Sequence, residues 1–318
     1  MDGRRTVLRL ALVVLAALAP GGCAWLKRSP PPTPLPARLP PTPTLEQVVE
    51  AVNANASQIH SFSTDEARLS VPGVPSLRTS IAFERPRRLR LRAGMQLTGT
   101  ELDVGSNDEL FWIWVARQPP LYYCRHDQFD ASPARRVLPV DPNWLIEAFG
   151  ISPIDPTAAQ GPSVLPGGRL EVREVRNTAE GPTTKITVVQ ATTGVVLEQQ
   201  VYDSQGLLVA RAYAREHRRD PLTGLIMPQV VEVECPRAEF SATIALGNVR
   251  INRPIENPAS LWAMPAIEGA PMVDLCDPNL RLVPGGSGPP PIQSSALPPP
   301  VVSSAISRPH SGRNRLLR

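Results

Sequence analysis

The 318-residue sequence predicts a mainly β fold in which one amphipathic helix precedes a long antiparallel sheet. Three observations support this fold class. One stretch near the start carries apolar residues at helical spacing, the apolar period changes from 3.6 to 2 after His60, and turn signals such as Thr193-Gly194 then separate short alternating segments. We therefore expect a series of hairpins behind a single opening helix.

The opening helix is predicted over residues 44–59. Thr44 and Gln47 have the spacing of a capping box, in which each side chain satisfies the backbone N–H of the other residue. One face of the helix is apolar and consists of Leu45, Val48, Val49, Val52 and Ile59. This stripe predicts that the helix packs against the sheet.

The strands are predicted wherever apolar and polar residues alternate between turn signals. The first two include Leu77, Ile81 and Phe83, and then Leu89 and Leu91. Later strands are expected at 101–104, 109–115, 121–126, 170–176, 185–190, 195–202, 207–215, 229–235, 239–246 and 249–252. A short helix should interrupt them at 141–150, with Asp141 as cap, Pro142 at the first position and Gly150 as the stop. Residues 153–168 are predicted to form a proline-rich insert.

The segment ELFWIWV at 109–115 is apolar on both faces of its strand. Trp112 and Trp114 lie on one face with Leu110, whereas Phe111, Ile113 and Val115 lie on the other. Both faces must then be shielded from water. In a curved sheet, chain could cover the convex face, and helices or an apolar ligand could cover the concave face. A strand buried on both sides of a filled core is an equally good interpretation of this segment.

The N-terminus has the pattern of an export signal. Arg4, Arg5 and Arg9 precede a short apolar run, and Cys23 follows two glycines, so residues 1–22 are predicted to be a cleaved signal peptide. Cys23 resembles the lipidated cysteine of the bacterial lipobox, although Pro20 stands where that pattern has leucine. An ordinary secretory signal followed by a free thiol is the alternative. Residues 23–43 are rich in proline and predict a stiff tether.

The remaining chain divides into a folded domain at 44–284 and a tail at 285–318. The tail is mostly Pro, Ser and Gly with basic but no acidic residues, and such a composition predicts disorder. The whole chain carries 33 basic and 29 acidic residues; without the ten basic residues and one acidic residue of the signal, tether and tail, 23 and 28 remain. The basic isoelectric point therefore reflects the ends and does not indicate a nucleic-acid-binding domain.

The cysteines and histidines do not indicate a metal site or an active site. If Cys23 carries lipid, then Cys124, Cys235 and Cys276 remain, which allows at most one disulfide within the chain and leaves its pairing open. No paired C-x-x-C spacing predicts zinc. The sequence contains no G-x-S-x-G elbow, no H-E-x-x-H and no phosphate-binding glycine loop. We expect a protein that is not an enzyme and holds no metal or cofactor.

The order of elements resembles the LolA/LolB family of outer-membrane lipoprotein carriers and receptors. The resemblance covers roughly residues 44–265. It rests on an amphipathic helix, a strand ending in FERPRRLRLR, the segment LDVGSNDELFWIWV, a helical insert and the closing stretch LGNVRINRPIENPASLWAMP. It implies a strongly curved antiparallel sheet that forms an unclosed half-barrel with helices across its mouth, and an apolar cavity that binds acyl chains.

The resemblance also implies roles for particular residues. Arg85-Pro86 matches the family's Arg-Pro pair, in which the arginine hydrogen-bonds to the helical lid, and Phe111-Trp112 matches an apolar-Trp pair. Leu89 stands where the carriers often have an aromatic residue. The cavity is expected to be lined by Ile81, Phe83, Leu89, Leu91, Trp112 and Trp114.

These observations predict a non-catalytic envelope lipoprotein, anchored through Cys23, that binds acyl chains of lipoproteins or other lipids and works with a carrier or receptor protein. Ala24 is not the Asp that retains some lipoproteins at the inner membrane, so the resemblance implies an outer-membrane location facing the periplasm. The alternative is a structural envelope lipoprotein that binds a protein or polymer partner. A carrier should contain a cavity, whereas a structural protein should have a filled interior.

Overall fold

The computed structural model describes residues 34–132, 143–178 and 181–280. The described residues from Pro36 onward belong to one compact unit. The predicted signal peptide, Cys23 and the C-terminal tail lie outside the described residues, as do Asp141 and Pro142 of the expected second helix.

Strands dominate the described chain, as the alternating pattern predicts. They are β1 Ser61–Ser70, β2 Leu77–Glu84, β3 Arg88–Met95, β4 Gly99–Ser106, β5 Leu110–Val115, β6 Gln118–Arg125, β7 Ala159–Leu165, β8 Arg169–Thr178, β9 Gly181–Gln190, β10 Val196–Tyr202, β11 Leu208–Arg215, β12 Arg218–Arg219, β13 Ile226–Met227, β14 Val230–Cys235, β15 Phe240–Ala245, β16 Arg250–Ile251 and β17 Met272–Asp274. Short hairpin turns connect most neighbours along the chain.

One large curved sheet contains all of these strands except the small β12–β13 ribbon. Its order is β17-β6-β5-β4-β3-β2-β1-β15-β14-β11-β10-β9-β8-β7, and β16 pairs with the start of β1. Neighbouring strands are antiparallel apart from β17, which runs parallel to β6. The two ends of this order, β17 and β7, do not pair with each other, so the sheet forms an unclosed half-barrel.

Bulges bend the sheet where its strands change partners. In β1 the register with β2 shifts between Thr64 and Ala67. Before this bulge Phe62 pairs with Ile251 of β16, and after it Leu69 pairs with Ile244 of β15. A bulge increases local twist and bending, so β1 can serve as the corner between the two halves of the sheet.

The helices lie against the sheet. Helix α1, Leu45–Ala56, begins with the predicted capping box of Thr44 and Gln47, and its valines pack with apolar residues of β8, β9 and β10. Helix α2 is one short turn, Trp144–Ile146, and continues as a π-helical turn, Glu147–Ile151, in which Gly150 has a φ of 69°. A left-handed conformation suits glycine, as expected for the stop of this helix. A last short helix, α3, spans Pro258–Leu261.

The expected fold class is confirmed, with three differences in detail. The proline-rich insert contains the edge strand β7, and β17 adds a parallel strand at the other edge. The end of the predicted tether packs on the domain, since the backbone N–H groups of Arg38 and Leu39 donate to the Thr192 carbonyl.

A disulfide joins Cys124 of β6 to Cys276, which follows β17. The sequence left this pairing open. The bond fixes the parallel edge strand to the sheet and leaves Cys235 as a free thiol.

Candidate functional site

An apolar cavity of about 530 Å³ lies on the concave face of the half-barrel. Its wall is built from side chains that alternate along neighbouring strands and therefore point to one face. Strand pairing places Leu91 of β3 beside Val104 of β4, and Val104 beside Ile113 of β5. The described lining further includes Leu69, Val71, Leu89, Leu102, Phe111, Val115, Pro120, Tyr122, Trp144, Leu145, Val233, Cys235, Phe240, Ala242 and Ile244.

The cavity extends along β3, β4 and β5 toward one end of the half-barrel. At that end its residues come from the end of β1, the start of β6 and the hairpin between β14 and β15. Phe240 at the start of β15 is 44% exposed, which places this side of the lining at the mouth. Trp144 and Leu145 of α2 belong to the same lining.

The opposite end of the concave face is packed. Phe62, Phe83 and Phe149 are almost completely buried, and the ring centroid of Phe62 lies 5.5 Å from that of Phe83 and 5.3 Å from that of Phe149. Ile81 is buried in the same apolar cluster. The π-helical turn that contains Phe149 thus fills the half-barrel at this end.

Arg85 connects this packed end to the helices. Its Nε donates to the Ile59 carbonyl at 2.8 Å, and its Nη2 donates to the carbonyls of Ala56 and Ile151 at 2.7 and 2.8 Å. The guanidinium therefore joins the chain after β2 to the end of α1 and to the π-helical turn. Burial lowers the pKa of Arg85, but an arginine keeps its charge at neutral pH.

The convex face of the same strands carries a buried polar cluster. Arg90 forms an ion pair with Asp103 at 2.6 Å and lies over the indole ring of Trp112, whose Nε1 donates to Asp103 at 3.2 Å. Arg90 also donates to the carbonyls of Leu261 and Ala263. The chain from α3 onward therefore covers the convex side of the strands that line the cavity.

Gly105 makes room for this cluster. A Cβ atom at Gly105 would overlap the indole ring of Trp112, so the absence of a side chain allows the ring to lie flat against β4. This close approach explains the glycine near the end of β4.

The residues predicted to line the cavity are divided between these regions. Leu89 and Leu91 line it. Ile81 and Phe83 are buried and are not among the described lining residues, and Phe83 packs against Phe62, which contacts Phe149 of the π-helical turn. Trp112 borders the cavity, but its ring packs under Arg90 on the convex side, and Trp114, paired with Asp103, is on that side as well.

Sequence reasoning missed most of the lining. Leu102, Val104, Ile113 and Val115 are on the face opposite the two tryptophans of β5, and the alternating pattern separated the two faces correctly without showing which one is concave. Strands β14 and β15 contribute lining residues such as Cys235 because β15 pairs with β1 and β14 pairs with β15. No local sequence pattern indicates this long-range pairing. Burial raises the pKa of the Cys235 thiol, so the thiol stays protonated at neutral pH.

No family model and no curated protein matches the chain. Solved structures do. An outer membrane lipoprotein-sorting protein domain from Vibrio parahaemolyticus is 9% identical with a TM-score of 0.48, and a DUF1329 family protein from Desulfovibrio piger is 13% identical with a TM-score of 0.47; each match covers 69% of this chain and 100% of the other. A LolA superfamily protein from Nitrosomonas europaea is 10% identical with a TM-score of 0.42, and the match covers 70% of this chain and 99% of the other.

The curved, unclosed sheet with helices on its concave face is the architecture that the LolA/LolB resemblance implies. None of the helices within the described ranges has the length and apolar character needed to cross a membrane.

Proposed function

We propose that this protein is a non-catalytic envelope lipoprotein that binds an acyl chain in its apolar cavity and passes it on for lipid or lipoprotein transfer. The observation that carries this proposal is the cavity of about 530 Å³ on the concave face, with a lining that is almost entirely hydrocarbon. Sites for small molecules commonly have about 300–1,000 Å³. A long, unbranched apolar ligand suits a space bounded by Leu91, Val104, Ile113 and Ile244.

Apolar burial supplies the affinity in this proposal. Each buried methylene contributes about 0.8 kcal/mol, so eight of them contribute about 6 kcal/mol before the loss of ligand freedom is subtracted. No covalent step is needed, and an acyl chain can leave as it entered. This reversibility suits a carrier or receptor that exchanges cargo with a partner protein.

The membrane anchor in this proposal is a lipid on Cys23, with the proline-rich segment as spacer and the outer membrane as the location. A Cys23→Ser variant should move from the membrane fraction to the soluble fraction of the envelope. A chain that stays with the membrane after this substitution would contradict anchoring through Cys23.

Cys235 offers a direct test of ligand binding, because its thiol lines the cavity. In the Cys23→Ser chain, we expect palmitate to slow alkylation of Cys235 by a small neutral maleimide about tenfold. A matched Cys23→Ser, Cys235→Ser variant shows how much label reaches other sites. The slowing should saturate with palmitate concentration and disappear in denaturant.

Palmitate that leaves the alkylation rate unchanged would argue against acyl binding in this cavity. If native mass spectrometry of the same protein also finds no co-purified lipid, the alternative of a structural envelope protein that binds a protein or polymer partner becomes the better one. A co-purified lipid would identify the cargo class directly.

A further inference from the structure

The wall of the apolar cavity on β3, β4 and β5 consists of three rows of side chains. Paired residues of neighbouring strands lie side by side, so each row crosses the strands. From the mouth inward, the rows are Leu102 with Val115, then Leu91 with Val104 and Ile113, and last Leu89 with Ser106 and Phe111. Residues two apart along a strand are separated by about 6.7 Å, so the first and last rows are about 13 Å apart. The cavity is therefore a trough that runs along the strands.

The exposure of these rows falls toward the inner end of the trough. Both side chains of the first row are half-buried, and so are Val104 and Ile113 of the middle row. The side chains of the last row are buried, and Leu89 and Phe111 are each only 3% exposed. Open space therefore ends at the last row, Leu89, Ser106 and Phe111, which we call the floor of the cavity.

Phe111 closes the floor against the chain behind it. Its ring meets the ring of Phe129 edge-on, with 5.5 Å between the two centroids, and both rings belong to one buried apolar cluster. Cys124, the neighbour of Phe111 on β6, is fixed by its disulfide to Cys276. A ligand would have to displace this packed chain to pass Phe111.

A ligand with one polar end fits this trough with its apolar end at the floor. The hydroxyl of Ser106, at the floor, already lies within hydrogen-bond distance of His126 Nε2, at 3.2 Å. A charged head group that reached this row would lose its water without gaining partners, which is unfavourable. At the mouth, the turn between β5 and β6 carries the exposed Arg117, so a head group there stays in contact with water.

We propose that the floor sets the length of acyl chain that the cavity accepts, and that Phe111 is the residue that determines this length. This inference rests on the proposed function and adds a specificity to it. The methyl end of the bound chain lies against Phe111, and the head group stays at the mouth. Methylene groups in excess of the depth of the trough remain in water and add no affinity.

The test measures affinity across a series of saturated fatty acids of even carbon number, from octanoate to arachidate. Each acid competes with a fluorescent fatty acid for the Cys23→Ser chain. Every additional buried methylene should strengthen binding about fourfold, up to a break point at which affinity stops rising. In Phe111→Ala the break point should move to acids that are longer by about two to four carbons, since the missing ring leaves space beyond the floor.

Two further variants make the test independent of protein stability. Phe111→Leu leaves a smaller space and should give an intermediate break point, whereas Val104→Phe, one row nearer the mouth, should move the break point to shorter acids. A general loss of packing weakens binding of every acid by a similar factor and leaves the break point where it was.

Two results would overturn the role of Phe111. One is a break point that is the same in both Phe111 variants as in the parent chain, and the other is a parent affinity that rises through the whole series without a break. If no acid of any length binds to the parent chain, the proposed function itself fails, which is a different result.

Discussion

The two ends of the half-barrel are built from the same strands but are filled differently. At one end Phe62 packs against both Phe83 and Phe149, and Arg85 holds the helices in place through three carbonyls. At the other end Leu91 and Ile113 face a cavity. Interiors normally have few voids larger than a water molecule, so the open end stands apart from ordinary core packing. The packed end maintains the fold, and the open end is the candidate binding site.

Substitutions in β2 and β3 provide the largest test of this comparison. Phe83→Ala should lower the free energy of unfolding by about 3–5 kcal/mol, because it removes a fully buried ring from a close-packed cluster. Leu91→Ala should cost about 2 kcal/mol, since one side of Leu91 already borders open space. Urea unfolding monitored by circular dichroism measures both values.

The order of the two substitutions should reverse when fatty-acid affinity is measured in place of stability. We expect Leu91→Ala to weaken fatty-acid binding severalfold and Phe83→Ala to weaken it less, wherever the protein remains folded. If the two substitutions had equal effects on stability and equal effects on affinity, the interior would not be divided into a packed part and a binding cavity.

Acid should weaken the packed end first. His217 lies close to Gly150 and Val196, and burial lowers its pKa from 6.5 to about 4. The unfolded chain therefore binds more protons between about pH 4 and 6.5, so stability is lost as pH falls through this window. The expected contribution is about 3 kcal/mol.

The measurement compares urea midpoints of the wild type and His217→Gln between pH 7 and pH 4. The difference between the two proteins isolates the histidine from carboxyl groups that titrate over the same range. Parallel pH profiles for both proteins would show that His217 does not titrate as its buried environment implies.

Arg85 should contribute about 2 kcal/mol to the same end. Arg85→Leu removes the donor from three carbonyls, and each acceptor left without a partner in a buried position is unfavourable. Arg85→Lys should restore less than half of the loss, because an ammonium cannot reproduce the planar fork that reaches α1 and the π-helical turn together. Thermal or urea unfolding of the three proteins measures this order.

The rate at which a bound fatty acid dissociates distinguishes two roles for Arg85. If it only stabilises the packed end, the dissociation rate of a bound fatty acid should stay within about twofold in Arg85→Leu. A much faster dissociation would make the arginine a latch on the cavity, as the family resemblance implies.

Local pattern was sufficient for most of this architecture. The capping box of Thr44, the alternation in β2 and β3 and the stop at Gly150 each have a short-range physical cause, and each was predictable. Strand β7 was missed because its Gly161-Pro162 pair is typical of a loop. Strand β17, with three residues, is too short to show a period.

The division of the interior could not be predicted in the same way. Phe83 and Leu91 both occupy inward positions of alternating strands, and their pattern is the same. Phe83 lies in the core beside Phe62, which also contacts Phe149 from a distant part of the sequence, whereas Leu91 borders the cavity. Such docking is a property of the tertiary fold, which no window of residues around either position contains.

The smallest expected effect on stability comes from filling the open end. Val104→Phe places a ring into space that is already present, so it should change the free energy of unfolding by less than about 1 kcal/mol. The same ring would occupy the path of an acyl chain and should weaken fatty-acid binding at least tenfold. Trp114→Phe, on the convex side of β5, is the matched control and should leave that affinity unchanged. A Val104→Phe protein that loses several kcal/mol and still binds would show that the open end closes in solution and that ligand binds elsewhere.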